Sequence, residues 1–408
     1  ITANIKIEEA LVLDHKNDTL IDLESLSASI FNLSNIITKN DLNLSSTEID
    51  GLNFNLIRYK GEESDNLTQF LQKFETDTPK DTTKVFKLHI DDVFLINSSF
   101  KVIDYNLDNP ESFAIKDLGL DLENFNIVGD KISININSLS GLTGYGVKID
   151  RLQTKFFMGP QEMRLDQLKL LTPYSDLSTD LKFTYDRGDW SDFVNKVNIS
   201  AKFDHSKLST TDLNHFYNEF GLGENLELTG NLDGTVNNFN FSDIAITGIQ
   251  RSDISGHITF KQVTNSEQFE LKTQNIDITT NYFDLKRLLP QLLGDNLPEA
   301  LQYMGNFSVN GQTYIKAQNL DANLAFESTE GNGFFKLNFK DLNNSKKVEY
   351  NGFLKANNLN VGKLTQTETL GLSSFNIYIN GKGFTKESLN TKLDGQIDAI
   401  GINNYTYQ

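Results

Sequence analysis

The sequence predicts an all-β protein, built as a long antiparallel sheet that curls into an elongated groove and carries a few short helices. Apolar and polar residues alternate with a period of two along most of the chain, as in strands with one apolar and one solvated face. Proline, which removes a backbone donor from a sheet, occurs only 6 times in 408 residues. Asp, Asn and Gly between the alternating stretches supply turn conformations.

The strand pattern begins at the first residues and recurs to the end of the chain. Asp-Gly or Asn-Gly pairs at 50–51, 310–311 and 380–381 suit tight hairpins. With strands of about six residues, the chain accommodates roughly 25 to 30 strands, and a sheet of that size curls or closes. The clearest apolar positions are expected to line the groove: Ile5, Ile7, Leu52, Phe54, Leu56, Phe86, Leu88, Ile90, Ile132, Ile134, Ile136, Phe269, Leu271, Phe335, Leu337, Phe339, Phe375, Ile377 and Ile379.

Short helices are predicted where a capping residue precedes an apolar run. The expected caps of three of them are the stretches Ser64-Asp65-Asn66 and Thr210-Thr211-Asp212 and the single residue Asp284. The leucine-rich segment 282–304 is expected either to cover the apolar end of the sheet or to plug the groove. Isolated helices of this kind do not fit a parallel α/β fold. The predicted helices lie at residues 67–74, 213–220, 285–289 and 361–370.

The domain organisation predicted is one continuous groove segment over residues 1–408. Loosely repeated Gly-containing stretches introduce new groups of strands, with sub-blocks expected at 1–203, 204–304 and 305–408. No apolar run approaches the length of a membrane helix, and the chain opens at Ile1 directly in strand alternation. We therefore expect an ordered part of a longer protein.

Charge and residue usage narrow the function classes. The net charge of −18, with 37 basic and 55 acidic residues, argues against nucleic acid as a partner. With no Cys, thiolate metal sites and Cys nucleophiles are excluded. The 5 His residues show no metal-ligand spacing, and Asp91 and Asp92, adjacent on a strand, point to opposite faces. We expect no enzyme, no cofactor and no metal.

The period-two residues leave two structural interpretations open. They fit an open apolar groove that carries lipid, and, taken alone, they favour the filled core of a β-sandwich, although periodicity does not report whether two walls meet. Two other functions also remain open: a repetitive extracellular β-rich adhesin or surface protein, and an enzyme on a β-scaffold such as a polysaccharide lyase. An adhesin would more often show calcium-ligand runs or regular repeats, and a lyase needs a basic, Tyr and carboxylate cluster.

Five segments along the chain are distinctive: residues 12–21 (VLDHKNDTLI), 213–221 (LNHFYNEFG), 232–238 (LDGTVNN), 281–290 (NYFDLKRLLP) and 381–407. The first four resemble stretches of TamB-like proteins of the Bacteroidota, and the last resembles the repeat unit of the wider AsmA-like group. The order of these segments along one β-rich chain gives the resemblance its weight.

The resemblance implies a taco-shaped curled sheet with an apolar inner trough. It further implies a periplasmic protein of outer-membrane biogenesis, which carries phospholipid or assists assembly of outer-membrane proteins. An inner-membrane anchor helix and a C-terminal domain that meets an outer-membrane barrel of the Omp85 type are family features absent from this chain. The partners implied are therefore phospholipid directly, and the inner membrane and the barrel through other regions.

Overall fold

A computed structural model describes residues 2–31, 41–73, 85–108, 110–216, 218, 220–288, 290, 297, 299–385 and 387–408. The described residues form 22 strands, mostly antiparallel, and a few short helices, so the all-β prediction is confirmed. The chain divides into two compact units, residues 1–187 and 188–408. Residues 74, 217, 219, 289, 292, 293 and 298, which belong to the predicted helices or to the leucine-rich segment, lie outside the described residues.

In unit 1, residues 1–187, the described part of the chain forms a sheet of long strands and one α-helix. Most of its strands are longer than the roughly six residues expected from the sequence, and the described residues therefore form fewer strands than expected. The longest, β5 and β6, have 18 residues each. The helix α1 (Asn66–Gln72) is capped by Asp65, which lies in the predicted capping stretch and whose side chain accepts a hydrogen bond from the Thr68 amide. The strands are β1 (Thr2–Leu13), β2 (Thr19–Phe31), β3 (Asp41–Asp50), β4 (Asn53–Arg58), β5 (Lys87–Asp104), β6 (Glu111–Val128), β7 (Lys131–Thr143), β8 (Lys148–Met158), β9 (Glu162–Leu171) and β10 (Asp176–Thr184).

One part of unit 1 departs from the antiparallel pattern. β3 and β4 both pair antiparallel with β2 and parallel with β5, so they occupy successive stretches between the same two strands. The predicted hairpin at Asp50–Gly51 is therefore wrong: Gly51, at φ +66°, joins two strands that run in the same direction. The connection from β4 to β5 contains α1, which gives it the length that a parallel crossover requires.

Unit 2, residues 188–408, is an uninterrupted meander in which each strand from β11 onward pairs antiparallel with the next. The predicted sub-block boundary after residue 203 falls inside β11, and the one after residue 304 falls just before β16. The strands are β11 (Asn198–Ser209), β12 (Asn225–Gly234), β13 (Asn238–Ile249), β14 (Ser252–Lys261), β15 (Glu270–Asn281), β16 (Asn306–Lys316), β17 (Asn319–Ser328), β18 (Gly331–Lys340), β19 (Glu349–Asn360), β20 (Leu370–Lys382), β21 (Asn390–Ile402) and β22 (Tyr405–Tyr407).

One described α-helix of unit 2, Phe193–Lys196, precedes β11. Three others follow β11, β15 and β19, at intervals of four strands, so these three lie at the same end of the meander. Leu213 of the first and Leu288 of the second belong to one apolar cluster there.

Of the described residues in the predicted helix 213–220, only Leu213 is helical, so that prediction is wrong; the helix predicted at 285–289 begins earlier, at Tyr282, and the one at 361–370 ends sooner, at Thr365. The expected caps Asp212 and Asp284 lie inside their helices, and Ser209 caps the first of these. The helices are α2 (Phe193–Lys196), α3 (Thr210–Leu213), α4 (Tyr282–Leu288) and α5 (Val361–Thr365), with 3-10 helices Asp189–Asp192 and Glu299–Met304.

Two Asn-Gly pairs expected to form hairpins lie inside strands instead. Gly311 is in the middle of β16, and Gly381 is near the end of β20. At Gly311, φ is +140°, and a Cβ there would overlap the Asn323 carbonyl oxygen of the neighbouring strand. Glycine is used here because two backbones approach closely within the sheet, and not because the chain reverses direction.

Candidate functional site

One face of the unit 2 sheet is apolar from strand to strand. Directly opposed residues of antiparallel strands point to the same side. Phe335 of β18 opposes Leu354 of β19, which opposes Ile377 of β20. This apolar face of unit 2 contains the predicted lining residues Leu271, Phe335, Leu337, Phe339, Phe375, Ile377 and Ile379.

The apolar face of unit 2 is shielded only in part. The side chains of Phe335, Leu337 and Ile377 are all half-buried. Further along the face, Leu393 and Ile397 of β21 are 59% and 56% exposed. A cavity of about 310 Å³ lies over this part of the face, and its lining includes Phe375, Ile377, Leu393, Ile397 and Ile400. The face therefore presents contiguous apolar surface to its surroundings.

Unit 1 has an apolar face of its own. Leu88 and Ile90 of β5 oppose Ile127 and Phe125 of β6, and Ile132 and Ile134 of β7 oppose Met158 and Phe156 of β8. A buried cluster at this face centres on Ile90, Val93 and Leu122. The partly buried residues packed against it include the predicted lining residues Leu88, Ile134 and Ile136.

A second apolar site in unit 1 lies around β4 and contains the predicted lining residues Leu52, Phe54 and Leu56. Phe54 opposes Phe100 of β5, with ring centroids 5.4 Å apart, and Leu56 opposes Val102. Leu52 lies just before the strand. It lines with Phe54 a cavity of about 320 Å³ whose other walls include Phe113, Ile115 and Leu139. The sequence pattern had not indicated that these residues form a depression.

Four predicted lining residues lie at the margins of the sheet. Ile5 and Ile7 of β1 oppose Ala28 and Leu26 of β2, and they are 38% and 40% exposed. Phe86 is exposed one residue before β5. Phe269 precedes β15 and still contacts Phe260, with 6.5 Å between ring centroids.

The sequence pattern did not identify several residues that belong to the apolar face of unit 2. Phe239 stacks on Phe260 at 4.8 Å between ring centroids, and Phe203 lies 6.0 Å from Phe241. Both pairs belong to the apolar face, since Phe239 opposes Phe260 and Phe241 opposes Ile258 across β13 and β14. The short alternation Asn-Phe-Asn-Phe at 238–241 was the available signal.

One end of the apolar face of unit 2 is covered. Leu288 of α4 is buried against Leu226 and Ile249, which lie on β12 and β13, and Leu213 and Phe220 pack against the same group. For Leu288 this is the covering role expected of the segment 282–304. The helices that follow β11 and β15 therefore cover the face at the end where these two strands terminate.

A polar cluster fixes the turn between β1 and β2. The buried Asp14 carboxylate accepts hydrogen bonds from the Asn66 amide at 3.0 Å and the Tyr59 hydroxyl at 2.7 Å. Burial raises the pKa of Asp14, but the hydrogen bonds from Asn66, Tyr59 and two backbone amides outweigh it and hold the pKa below its usual value. Burial, followed by the Asp18 and Asp14 carboxylates, raises the pKa of Tyr59, so Tyr59 acts as a neutral donor.

Glu62 extends this cluster. Its carboxylate oxygens lie 3.0 and 3.1 Å from Nε2 of His15, and it accepts a hydrogen bond from the Gln69 amide at 2.6 Å. These two hydrogen bonds, the one from His15 first, lower the pKa of Glu62 to about 2. The cluster ties the β1–β2 turn to α1.

Within the described ranges, no three His, Asp or Glu side chains come together in a way that would hold a metal ion. None of the helices in the described part of the chain is long and apolar enough to cross a membrane. Comparison of the chain with protein-family models, with curated proteins and with solved structures finds no match in any of the three.

Proposed function

We propose that the chain binds phospholipid by its acyl chains along the apolar faces of its two units and serves as a conduit or scaffold in outer-membrane biogenesis. The observation that carries the proposal is the half-buried apolar face of unit 2, which continues through every strand pairing from β11 to β21.

The energetics favour an acyl chain as the occupant. Exposing a chain of about 16 carbons to water costs roughly 0.8 kcal/mol per CH₂, or about 12 kcal/mol in total. A row of half-exposed side chains such as Phe335, Leu354 and Ile377 removes much of that cost and is itself removed from water. Adjacent strands repeat the same apolar surface, so neighbouring positions have similar affinity and a bound chain is able to slide.

The cellular setting of the proposal rests on the resemblance to TamB-like proteins. In this proposal the chain is a periplasmic segment of such a protein. It joins the inner membrane and an Omp85-type barrel through regions outside this chain. We propose no catalytic role and no cofactor, since a conduit for lipid requires no covalent step.

The direct test places a photo-crosslinking side chain on either face of one strand. Phe335 lies on the apolar face, and its neighbour Phe334 lies on the opposite one, with its ring 6.5 Å from that of Phe353. Replacing Phe335 by p-benzoylphenylalanine keeps an aromatic at the site. After irradiation with phosphatidylethanolamine vesicles, mass spectrometry of the intact chain should show lipid attached at 335.

The same label at Phe334 is the matched control. It should capture little or no lipid, because its side chain points away from the apolar face. Equal labelling at both positions, or none at either, would show that the face is not where lipid binds. Native mass spectrometry of the unlabelled chain should in addition show phospholipid that survives purification, and Phe335→Asp should remove it while the far-ultraviolet circular dichroism is kept.

A role in assembling outer-membrane proteins is a second candidate, and one feature favours it. β21 pairs with β22 only through residues 400–402, so in the described part of the chain the outer edge of 390–399 has no partner strand. A free edge of this kind templates an incoming strand. A photo-crosslinker at Gln396 should then capture an unfolded outer-membrane barrel protein, and the same label at Asn338, inside the sheet, should not.

A further inference from the structure

The opposite face of unit 2 carries a second, chemically different site. Tyr314, Lys336, Phe353 and Tyr378 are each adjacent in sequence to a residue of the apolar face, so they point to the other side of the sheet. Lys336 opposes Phe353, which opposes Tyr378, and all of them line a cavity of about 600 Å³ over β15 to β20. We call this side of the sheet the polar face of unit 2; it lies opposite the face proposed to bind lipid.

The cavity combines aromatic rings with amide side chains. The rings of Phe353 and Tyr378 lie 5.2 Å apart between centroids, at 56° to each other. Gln312 and Asn323, opposed on β16 and β17, line the same cavity. Rings offer flat apolar surfaces, and amides offer both donors and acceptors. Together they match a ligand with both C–H faces and many hydroxyl groups.

A smaller cavity of about 400 Å³ shares Asn351 with the first and is rich in lysine. Lys340, Lys382 and Lys392 line it beside one carboxylate, Glu349. The two cavities together hold five lysines and two carboxylates, a local excess of three positive charges on a chain whose net charge is −18.

The charges of the lysines remain available. In the described part of the chain, none of the five is joined in an ion pair within 4.0 Å. By contrast, the Asp321 carboxylate at the rim is occupied by the Asn338 amide. Positive charge held in a concave polar surface attracts anionic ligands and raises their local concentration. An acyl chain has neither the negative charge that would pair with the lysines nor the hydroxyl groups that would hydrogen-bond to the amide side chains.

We propose that the polar face of unit 2 binds an acidic oligosaccharide. Its sugar rings lie against Tyr314, Phe353 and Tyr378, its hydroxyls bond the amides, and its carboxylate or phosphate groups meet the lysines. The binding involves no covalent step. It is independent of lipid binding, because the two sites lie on opposite faces of the same strands.

Calorimetric titration of the full chain with trigalacturonate and with a hyaluronan tetrasaccharide tests the proposal. At least one of them should bind, and Tyr378→Ala and Lys336→Met should each weaken binding at least tenfold. The matched controls are Phe334→Ala and Lys355→Met, on the same face but outside both cavities; they should change affinity less than twofold. Far-ultraviolet circular dichroism establishes that the variants are folded.

Three results would overturn the proposal. The first is absence of binding by both oligosaccharides at millimolar concentration. The second is an equal loss in Lys336→Met and Lys355→Met, which would mean general charge attraction. The third is binding of neutral maltotriose, or displacement by inorganic phosphate, with the affinity of the acidic sugars.

Discussion

Asn66 shows how one buried polar side chain organises its surroundings. It is fully buried, its carbonyl oxygen accepts from the Ile57 amide at 2.9 Å, and its NH₂ donates to Asp14 and to the Asn55 carbonyl. Every polar group of the side chain is thereby satisfied, which is the condition for burying it without a large penalty. Strand β4, helix α1 and the β1–β2 turn are held together through this one amide.

Tyr59→Phe should destabilise unit 1. The hydroxyl donates to Asp14 at 2.7 Å and Asp18 at 2.6 Å, and its loss leaves a buried carboxylate with one donor fewer. Hydrogen bonds to charged groups contribute about 1.5–3 kcal/mol, and we expect a loss of that size in a urea titration. Tyr105→Phe, at the ring that stacks on Tyr59, is the control and should cost far less. Equal costs would refute the role of the hydroxyl.

Glu62 should make stability depend on acid pH. Its pKa of about 2 in the folded protein lies below the ordinary value of 4.5, so the stabilisation is complete above pH 4.5 and is lost as the pH falls toward 2. The urea midpoint of the native chain should therefore fall more between pH 5 and pH 2.5 than that of Glu62→Gln. Glu63→Gln, at the exposed neighbour, should keep the native pH profile; identical profiles for all three would contradict the assignment.

At the scale of the element, strand length was the main feature that sequence reasoning misjudged. Polar residues inside the long strands look like turns, but they occupy bulges with positive φ: Asn97 at +51°, Asp117 at +51°, Asp243 at +51° and Asn275 at +48°. The pairing register shifts at each of these positions. Asn and Asp tolerate the left-handed conformation, so the chain absorbs an extra residue and the strand continues.

Which residues of a strand lie on the same face of the sheet was, in contrast, predictable. Phe335, Leu337 and Phe339 share one face because alternate residues of a strand must. Their cross-strand neighbours, including Leu324, Leu354 and Tyr350, were not predictable, since the register depends on which residues form the turns between strands. For the same reason the polar face of unit 2, assembled from several strands, had no signature in any single stretch of sequence.

Gly352→Ala should separate strands β18 and β19 locally. At Gly352, φ is +148°, and a Cβ would overlap the Lys336 carbonyl oxygen, which as backbone has no room to move aside. We expect a loss of about 2–4 kcal/mol in the free energy of unfolding, measured by denaturant titration. Gly188→Ala, where nothing lies within 4 Å, should stay within about 0.5 kcal/mol. A neutral Gly352→Ala would mean that the strands are not so closely spaced.

At the scale of the molecule, the sheet of unit 2 separates two chemistries that share one set of strands. Phe334 and Phe335, or Tyr378 and Ile377, are neighbours in sequence and belong to different surfaces. Variants at one position of such a pair therefore test one surface with the other left intact. This separation makes the lipid and oligosaccharide proposals independently testable.

Lipid binding should raise the thermal stability of the whole chain. A ligand that binds only the folded state at about 100 times its Kd stabilises by roughly 2.7 kcal/mol, which corresponds to a rise of about 5–10 °C in Tm for a cooperative unit of roughly 200 residues, such as unit 2. Phosphatidylethanolamine should produce this shift in differential scanning calorimetry. Its headgroup without acyl chains, glycerophosphoethanolamine, should produce none, and a shift of equal size with the headgroup alone would exclude the acyl chain as the recognised part.

The meander of unit 2 also has a consequence for how the chain is made and how it resists force. Every described strand from β11 to β21 pairs with the strand that follows it, so the strand pairings of this sheet join neighbouring stretches of the sequence. Such local connectivity allows unit 2 to form strand by strand as it emerges from the ribosome, N-terminus first. Tension on its C-terminal end would peel the strands away in the reverse order, one small step at a time.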